Sequence, residues 1–311
     1  MKTTYASITD QDKARGLLLG LAVGDALGTT LEFKPPGTFE PIDDMIGGGP
    51  FDLKAGQWTD DTSMALCMAD SLLAQCEMNL EDHLKRYIDW WLNGYNSVTG
   101  HCFDIGNTVR SALEQFGSFG DVYAGSKASS SAGNGSIMRL APVLLYFRKW
   151  DTEDALYQCE QSSRTTHQAT ECLIACRFFG FLLLRALRHE CSQKKLLNIT
   201  EYDWSHIDPE NSAPKVKEVA MGSYLTKTTI RGTGYVVDSL EAALWAFAHS
   251  HDFETGALKA VNLGDDADTT GAVFGQLAGA YYGYSSIPQG WRDKLAWEKK
   301  MLKIADQLYS K

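Results

Sequence analysis

The sequence predicts an all-α protein that forms a single domain over residues 1–311. Apolar residues recur at helical spacing in roughly a dozen segments, whereas the alternation that marks half-buried strands is scarce. No Pro-, Gly- or Ser-rich linker divides the chain, although its length alone would allow one large domain or two ordinary ones. A polar lead-in is expected at residues 1–10, ahead of the first helix.

Charge and cysteine content exclude several classes of protein. The formal net charge is −10, and basic residues occur in runs no longer than pairs, which argues against a nucleic-acid-binding face. Seven cysteines without a CxxC pair are typical of reduced thiols, so we expect a cytoplasmic protein. Residues 271–288 are uncharged but rich in Gly, Tyr, Ser and Gln, which favours a buried helix over a membrane span.

Glycine recurs every fourth position in two of the predicted helices. The first helix, at residues 12–28, and a late helix, at residues 271–283, carry the two sets: Gly16, Gly20, Gly24 and Gly28, and Gly271, Gly275, Gly279 and Gly283. Each interior glycine costs about 0.5–1 kcal/mol relative to alanine, and every fourth position lies on one helix face. Both helices are therefore expected at the centre of the fold, packed either against each other or against other elements.

The remaining elements follow from caps and apolar spacing. A long irregular segment at residues 29–56 carries four prolines and a glycine run, and loops of this length are often functional. Polar or Gly-rich connections are expected at residues 93–100, 127–136, 189–213 and 228–234. The other predicted helices span residues 62–76, 80–92, 108–116, 137–147, 152–163, 165–187, 214–222, 235–248 and 291–309.

Two acidic clusters stand out for their chemistry. Residues 262–271 read NLGDDADTTG and residues 58–62 read WTDDT, and an apolar helical run follows each cluster. Carboxylates this close repel one another unless a cation lies among them, and carboxylate and hydroxyl oxygens suit hard divalent cations. Either cluster alone would be explained as a helix N-terminus, because Asp and Thr cap helices. Together the clusters predict ligands for one or two divalent cations.

Single residues elsewhere have both structural and functional explanations. Glu32 stands where the first helix gives way to the long loop, as a surface residue or a catalytic acid or base. Asp104 is explained by a helix cap, and His167 by a structural role at a helix start. The Ser/Gly loop at residues 127–136 opens a helix, so it is either a flexible linker or a phosphate-binding loop.

Six motifs, taken in chain order, resemble the ADP-ribosylglycohydrolase family, and within it bacterial members such as dinitrogenase reductase-activating glycohydrolase. They are GLLLGLAVGDALG at 16–28, GQWTDDTSM at 56–64, GHCFDIGNT at 100–108, GNGSIMR at 133–139, TTH at 165–167 and NLGDDADTTGA at 262–272. The resemblance extends from residue 16 to about residue 283. It implies an orthogonal multi-helix domain with a binuclear Mg²⁺ or Mn²⁺ site.

The resemblance also assigns residues to roles. The implied metal ligands are Thr59, Asp60, Asp61, Asp266, Asp268 and Thr269, with Asp265 an additional carboxylate outside this set. The implied catalytic residues are Glu32, beside the metals, and Asp104, facing the modified guanidinium. The expected substrate-binding residues are Asp104, Gly133, Asn134, Gly135, Ser136, His167 and Tyr235.

The implied reaction is removal of mono-ADP-ribose from a protein arginine by hydrolysis of the N-glycosidic bond at ribose C1″. The expected partners are a mono-ADP-ribosylated protein and the product ADP-ribose, without nucleic acid. One alternative is a hydrolase of the same fold acting on ADP-ribosyl-serine, O-acetyl-ADP-ribose or a nucleic-acid adduct. Others are a non-catalytic binding or structural member, since fold does not fix function, and a Mg²⁺-dependent phosphohydrolase.

Overall fold

Helices form almost all of the regular structure in the computed structural model, which describes residues 8–188 and 191–311. Within those ranges the fifteen helices are α1 Asp10–Gly28, α2 Asp60–Gln75, α3 Leu80–Asn93, α4 Asn107–Phe119, α5 Ala141–Phe147, α6 Thr152–Arg164, α7 Thr170–Arg188, α8 Gln193–Leu197, α9 Glu201–Ile207, α10 Pro214–Ala220, α11 Val236–Ala248, α12 Phe253–Val261, α13 Ala267–Tyr282, α14 Gln289–Lys294 and α15 Glu298–Ser310. β-Pairing in these ranges is limited to isolated bridges, and the all-α prediction is confirmed. Most of the expected polar lead-in, residues 1–7, lies outside the described residues.

Helices α1 and α13 lie antiparallel with their backbones in contact. A Cβ added at any facing glycine would overlap a carbonyl oxygen of the other helix. The facing pairs are Gly16 with Gly279, Gly20 with Gly275 and Gly24 with Gly271. The predicted packing of the two glycine faces is thus confirmed. The last pair differs, because Gly28 faces Ala267, and Gly283 ends α13 at a φ of 82° beside Asp12.

The antiparallel contact determines where the chemistry lies. It brings the C-terminal end of α1 against the N-terminal end of α13, so Glu32 lies near Asp266 and Asp268. Helix α2 joins them through Asp25 of α1, whose carboxylate accepts hydrogen bonds from Thr59 and Thr62. Three helix ends, two of them N-termini that begin with acidic residues, therefore meet at one place.

Several boundaries differ from the sequence expectation, each for a local reason. The helix expected from residue 137 begins at Ala141, with Pro142 in its first turn. The expected connection at residues 189–213 contains α8 and α9, and its residues 189 and 190 lie outside the described ranges. The expected last helix is divided at Trp297, which has a φ of 58° and an indole ring 5.2 Å from that of Trp58.

The two halves of the chain share one apolar core. The largest cluster of buried apolar side chains begins at Ala14 in α1 and extends to Leu308 in α15. A smaller cluster forms between α2, α3 and α4. None of the helices in the described ranges combines the length and the apolar character needed to cross a bilayer.

Candidate active site

A cavity of about 340 Å³ opens where the ends of α1, α2 and α13 meet. Its lining includes ten of the residues that the sequence predicts: Glu32, Asp60, Asp104, Gly133, Asn134, Gly135, His167, Asp266, Asp268 and Thr269. Phe33, Ile105, Gly106, Asn107, Thr108, Val109, Met138 and Gly234 complete it. None of these described lining residues is a Lys or Arg, so the cavity is lined by carboxylates without a cationic side chain among them.

The two acidic clusters come together at the floor of this cavity. Carboxylate oxygens of Asp60, Asp61 and Asp268 lie within 4.8 Å of one another, and so do those of Glu32, Asp104 and Asp268. The hydroxyls are equally close: Thr59 Oγ1 lies 3.1 Å from Asp268 Oδ2 and Thr269 Oγ1 lies 3.3 Å from Asp61 Oδ2. Residues more than 200 positions apart in sequence thus surround one small volume.

The electrostatics of this floor call for positive charge. Burial, together with the neighbouring carboxylates, raises the pKa of Asp60, Asp61 and Asp268 well above the ordinary range. Three buried carboxylate oxygens have no hydrogen-bond partner among the described residues: Glu32 Oε2, Asp61 Oδ1 and Asp268 Oδ1. Buried, unpaired carboxylates are costly, and hard divalent cations prefer oxygen ligands. The residues present therefore fit divalent cations.

The adjacent aspartates 265 and 266 have different surroundings. Asp266 is half-buried, and its Oδ2 accepts a hydrogen bond of 2.8 Å from the Asn134 side-chain amide. This bond links the acidic floor to the Gly-rich loop. Asp265, in contrast, pairs with the guanidinium of Arg231 at 2.8 and 2.9 Å on the protein surface. Its charge is thereby compensated by Arg231, and it is absent from the two groups of close carboxylates.

Glu32 and Asp104 form a second pair of carboxyls at the cavity wall. Burial raises the pKa of Glu32 to about 10, with further contributions from Asp104 and Asp266. Burial likewise raises the pKa of Asp104 to about 7, with Asp266 the next cause. When no cation is bound, burial and the neighbouring carboxylates therefore favour the protonated form of Glu32.

The Gly-rich loop and His167 also line the cavity. The loop is held by α11, because Asn134 N donates to Gly234 O at 3.1 Å and Gly133 bridges Tyr235. His167 lies directly beneath it, since a Cβ at Gly135 would come within 2.8 Å of His167 Cε1. Burial lowers the pKa of His167 to about 3, so its imidazole is neutral. The glycines thus allow the loop to lie on an uncharged imidazole.

Two of the predicted substrate-binding side chains do not line the cavity. Ser136 is buried, and its Oγ accepts a hydrogen bond from the Cys176 thiol at 3.4 Å. The Tyr235 hydroxyl donates to Glu171 at 2.7 Å. In this structure both side chains support the loop from outside, and their contact with substrate stays a prediction.

Sequence reasoning did not single out two further residues that support the site. Asp25 is fully buried and accepts four hydrogen bonds of 2.6–3.0 Å from the backbone and hydroxyls of Thr59 and Thr62. Arg139, also fully buried, donates to Gly135 O and, at 2.8 Å, to Thr166 Oγ1. In both cases the available signal is a charged residue inside an otherwise apolar helical run.

Comparisons with known proteins agree with this geometry. The profile of the ADP-ribosylglycohydrolase family matches residues 6–311. The chain is 42% identical over 300 residues to "ADP-ribosylarginine hydrolase Tri1" of Serratia proteamaculans, covering 96% of this chain and 79% of that protein. It is 31% identical to "ADP-ribosyl-[dinitrogen reductase] glycohydrolase" of Rhodospirillum rubrum, covering 91% and 90%.

A solved structure gives the same result for the fold. The "ADP-ribosylglycohydrolase-related protein complex" superposes with a TM-score of 0.83 and 43% sequence identity, covering 97% of this chain and 98% of that one. The family profile spans nearly the whole chain, and the two relatives cover more than nine-tenths of it. The acidic floor, the Gly-rich loop and these similarities lead to one conclusion: the chain is an enzyme that belongs to the ADP-ribosylglycohydrolase family.

Proposed function

We propose that this enzyme hydrolyses the bond between ribose C1″ of ADP-ribose and an arginine guanidinium on a modified protein, with two divalent cations, Mg²⁺ or Mn²⁺. The observation that carries the proposal is the floor of buried carboxylates, which has no cationic side chain beside it in the described cavity lining. The printed name of the Serratia relative, an ADP-ribosylarginine hydrolase, supports arginine as the acceptor.

The six predicted ligands would hold the cations. They are Thr59, Asp60, Asp61, Asp266, Asp268 and Thr269, and the unpartnered oxygens of Asp61 and Asp268 support this assignment. When bound, the cations would supply positive charge that orients the ribose hydroxyls and makes a water molecule more acidic. Asp25 would contribute indirectly, by fixing the start of α2 and therefore the direction of Thr59.

Glu32 and Asp104 are the residues we assign to the bond that breaks. The oxygen of water bonds to C1″, its proton passes to Glu32, and the electron pair of the C1″–N bond leaves with the guanidine nitrogen. Asp104 accepts hydrogen bonds from the substrate guanidinium and keeps it in the cationic form that leaves as neutral guanidine. The surrounding carboxylates also stabilise the oxocarbenium character of the transition state.

The wall formed by the Gly-rich loop would bind the rest of the nucleotide. Backbone N–H groups of a glycine-rich segment approach phosphates closely, and the neutral imidazole of His167 adds no charge beneath them. We assign ribose and diphosphate contacts to Gly133, Asn134 and Gly135, and we keep Ser136 and Tyr235 as substrate-binding candidates. Asn134 bridges the two halves of the site through its bond to Asp266.

The proposal includes the setting of the reaction. We place the enzyme in the cytoplasm, which its seven free thiols support, four of them buried. The partners we propose are a mono-ADP-ribosylated protein and free ADP-ribose. No role for nucleic acid is proposed.

The test is release of ADP-ribose from arginine-linked and serine-linked ADP-ribosyl peptides, each with Mg²⁺, with Mn²⁺ and with EDTA. We expect release from the arginine-linked peptide with either cation and loss of release with EDTA. Equal or faster release from the serine-linked peptide would overturn the acceptor. Undiminished release in EDTA would overturn the metal site.

A further inference from the structure

Phe33 is an exposed aromatic residue at the mouth of the catalytic cavity. It directly follows Glu32, lines the cavity, and is 64% exposed. Its φ of 61° lies in the left-handed region, where a bulky side chain is a genuine outlier. A large apolar ring held against solvent in a strained backbone has no role in the core, which makes a functional role the stronger explanation.

The backbone around Phe33 is held in place from both sides. Phe33 N donates to Asp265 O at 2.7 Å, and Asp265 N donates to Lys34 O at 2.8 Å. Asp265 also has a positive φ of 54°, and its carboxylate is fixed by the paired hydrogen bonds to Arg231. Two segments distant in sequence thus clamp each other, and this clamp fixes the position from which the Phe33 ring projects.

Two further rings continue from Phe33 toward Asp104. The Phe33 and Phe51 ring centroids are 6.4 Å apart, and those of Phe51 and Phe103 are 5.1 Å apart. Phe103 immediately precedes Asp104, which itself has a φ of 58°. We call Phe33, Phe51 and Phe103 the aromatic rim. The rim connects the residues that follow Glu32 and precede Asp104, the two carboxyls at the cavity wall.

We propose that the aromatic rim binds the guanidinium and the aliphatic arm of the acceptor arginine, with the exposed face of Phe33 as its main contact. This proposal rests on the proposed function and adds a specificity-determining residue to it. A guanidinium is a planar, weakly hydrated cation that stacks on aromatic faces while its edge donates to a carboxylate. Phe33 offers the face and Asp104 offers the carboxylate.

The position of the rim favours the acceptor over the nucleotide. An adenine base would also stack on a ring, but the rim adjoins Glu32 and Asp104 in sequence, whereas the diphosphate is assigned to the Gly-rich loop, which contacts His167 and Gly234. The absence of Lys and Arg from the described lining further suits a cationic occupant. Glu32, Asp104 and the rim together form a cavity mouth that selects a substrate whose acceptor group is positively charged.

The test measures binding in a Glu32→Gln background, where hydrolysis is slow, with Mg²⁺ present. We would determine the Kd for an arginine-linked ADP-ribosyl peptide and for free ADP-ribose, with Phe33 intact and with Phe33→Leu, by calorimetry. Leu keeps apolar bulk but removes the π face. In Phe33→Leu we expect the Kd for the arginine-linked peptide to rise about tenfold and the Kd for ADP-ribose to stay within about twofold.

Two controls separate recognition from folding. Phe33→Gly should keep or raise Tm, because glycine adopts a φ of 61° without strain. It should nevertheless weaken binding of the arginine-linked peptide as much as Phe33→Leu does. Phe119→Ala removes another exposed ring, 80% exposed at the far end of α4, and should leave both Kd values unchanged.

Three outcomes would overturn the rim proposal. They are an unchanged peptide Kd in Phe33→Leu, an equal weakening of ADP-ribose binding, and no preference for the peptide over ADP-ribose when Phe33 is intact. Hydrolysis by the unmodified enzyme is read separately. If the peptide binds in a Phe33-dependent way but is not hydrolysed by the unmodified enzyme, the proposed reaction is refuted. The proposal that the rim binds the acceptor arginine would still be supported.

Discussion

At the residue scale, Asp25 connects the first helix to the start of the second. Its carboxylate accepts two backbone and two hydroxyl hydrogen bonds from Thr59 and Thr62, and no water reaches it. Burial raises its pKa to about 6, which those four bonds oppose. We infer that Asp25 serves to fix the positions of its donors. One of these donors is Thr59, which is also a proposed metal ligand.

We predict that Asp25→Ala lowers the free energy of unfolding by about 3 kcal/mol, because it leaves four buried donors without an acceptor. The affinity for Mg²⁺ should also fall, since Thr59 loses its orientation. Urea unfolding and metal titration would measure the two effects. Asp154→Ala, at an exposed position of α6, is the matched control and should change stability by less than about 0.5 kcal/mol. Equal effects of the two substitutions would contradict the assignment.

Glu32 provides the chemical prediction at this scale. Glu32→Gln keeps the shape of the side chain and removes the proton acceptor, so kcat should fall about 10²- to 10⁴-fold, the range for general acid–base catalysis. The Kd for ADP-ribose should stay within about threefold, because the proposed diphosphate and ribose contacts are made by the Gly-rich loop and not by Glu32. Single-turnover kinetics and calorimetry would measure both quantities. The exposed Glu40→Gln should behave as the unmodified enzyme, and full turnover by Glu32→Gln would remove Glu32 from the mechanism.

The sequence could predict a site residue where a local pattern marks it, but not where distant contacts place its side chain. Asp60, Asp61 and Asp268 were predictable, because clustered carboxylates beside helix starts carry a chemical signal of their own. Tyr235 and Ser136 lie in the right segments, yet their hydroxyls contact Glu171 and Cys176 through tertiary packing that no local pattern encodes. Asp25 was hidden for the opposite reason, since its partners lie 34 and 37 positions away.

At the element scale, the contact between α1 and α13 sets the spacing of the site. Each facing glycine lets a carbonyl of the other helix approach to where a Cβ would be. Glu32 follows the end of α1, and Asp266 and Asp268 lie at the start of α13, so any separation of the two helices moves carboxylates apart. The same helix interface thus supports both the apolar core and the acidic floor of the cavity.

We predict that Gly275→Ala destabilises the protein by about 3 kcal/mol, because its Cβ would overlap Gly20 O and neither backbone has room to move. Metal affinity should fall with it. Gly117→Ala in α4 is the matched control: its Cβ would meet no heavy atom within 4 Å, so the change should stabilise the helix by about 0.5–1 kcal/mol. Thermal unfolding would compare them, and stabilisation by both substitutions would contradict the close contact.

Helix boundaries show the limits of sequence reading at this scale. The recurrence of glycine at every fourth position was visible in the sequence, and it predicted two central helices, but it left open whether they pack against each other or against other elements. The break at Trp297 was not visible, because Ala296 N donates to Gly56 O at 2.9 Å and the Trp297 ring packs on Trp58, both contacts to the distant loop. Such breaks are decided by tertiary partners, which override local propensity.

At the scale of the whole molecule, we propose that the 311 residues form one cooperative domain. The largest core cluster supports this, since it starts in α1, ends in α15 and joins side chains from both halves of the described chain. The acidic floor lies at the junction of α1, α2 and α13, so it brings together residues from near both ends of the chain. Folding and metal binding should therefore be coupled.

This coupling predicts the pH dependence of stability. Asp25 and Asp104 have folded-state pKa values raised to about 6 and about 7, and burial also raises the pKa values of Asp60, Asp61 and Asp268 well above their ordinary range. A carboxyl with a raised folded-state pKa stabilises the fold below its unfolded value of about 4, and this contribution is lost as pH rises through the folded value. The metal-free protein should therefore lose several kcal/mol of stability between pH 5 and pH 8.

Divalent cations should remove this loss, because they take the place of the protons among the same oxygens. Tm with saturating Mg²⁺ minus Tm with EDTA should be small at pH 5 and grow toward pH 8. Asp268→Asn should weaken that growth, since it deletes a ligand shared by both carboxylate groups, and the exposed Asp154→Asn should not. Calorimetry across this range measures the difference directly. A gap that is constant with pH would mean that the cation binds away from these carboxylates, and a gap that narrows would mean that their protons stabilise the fold better than metal does.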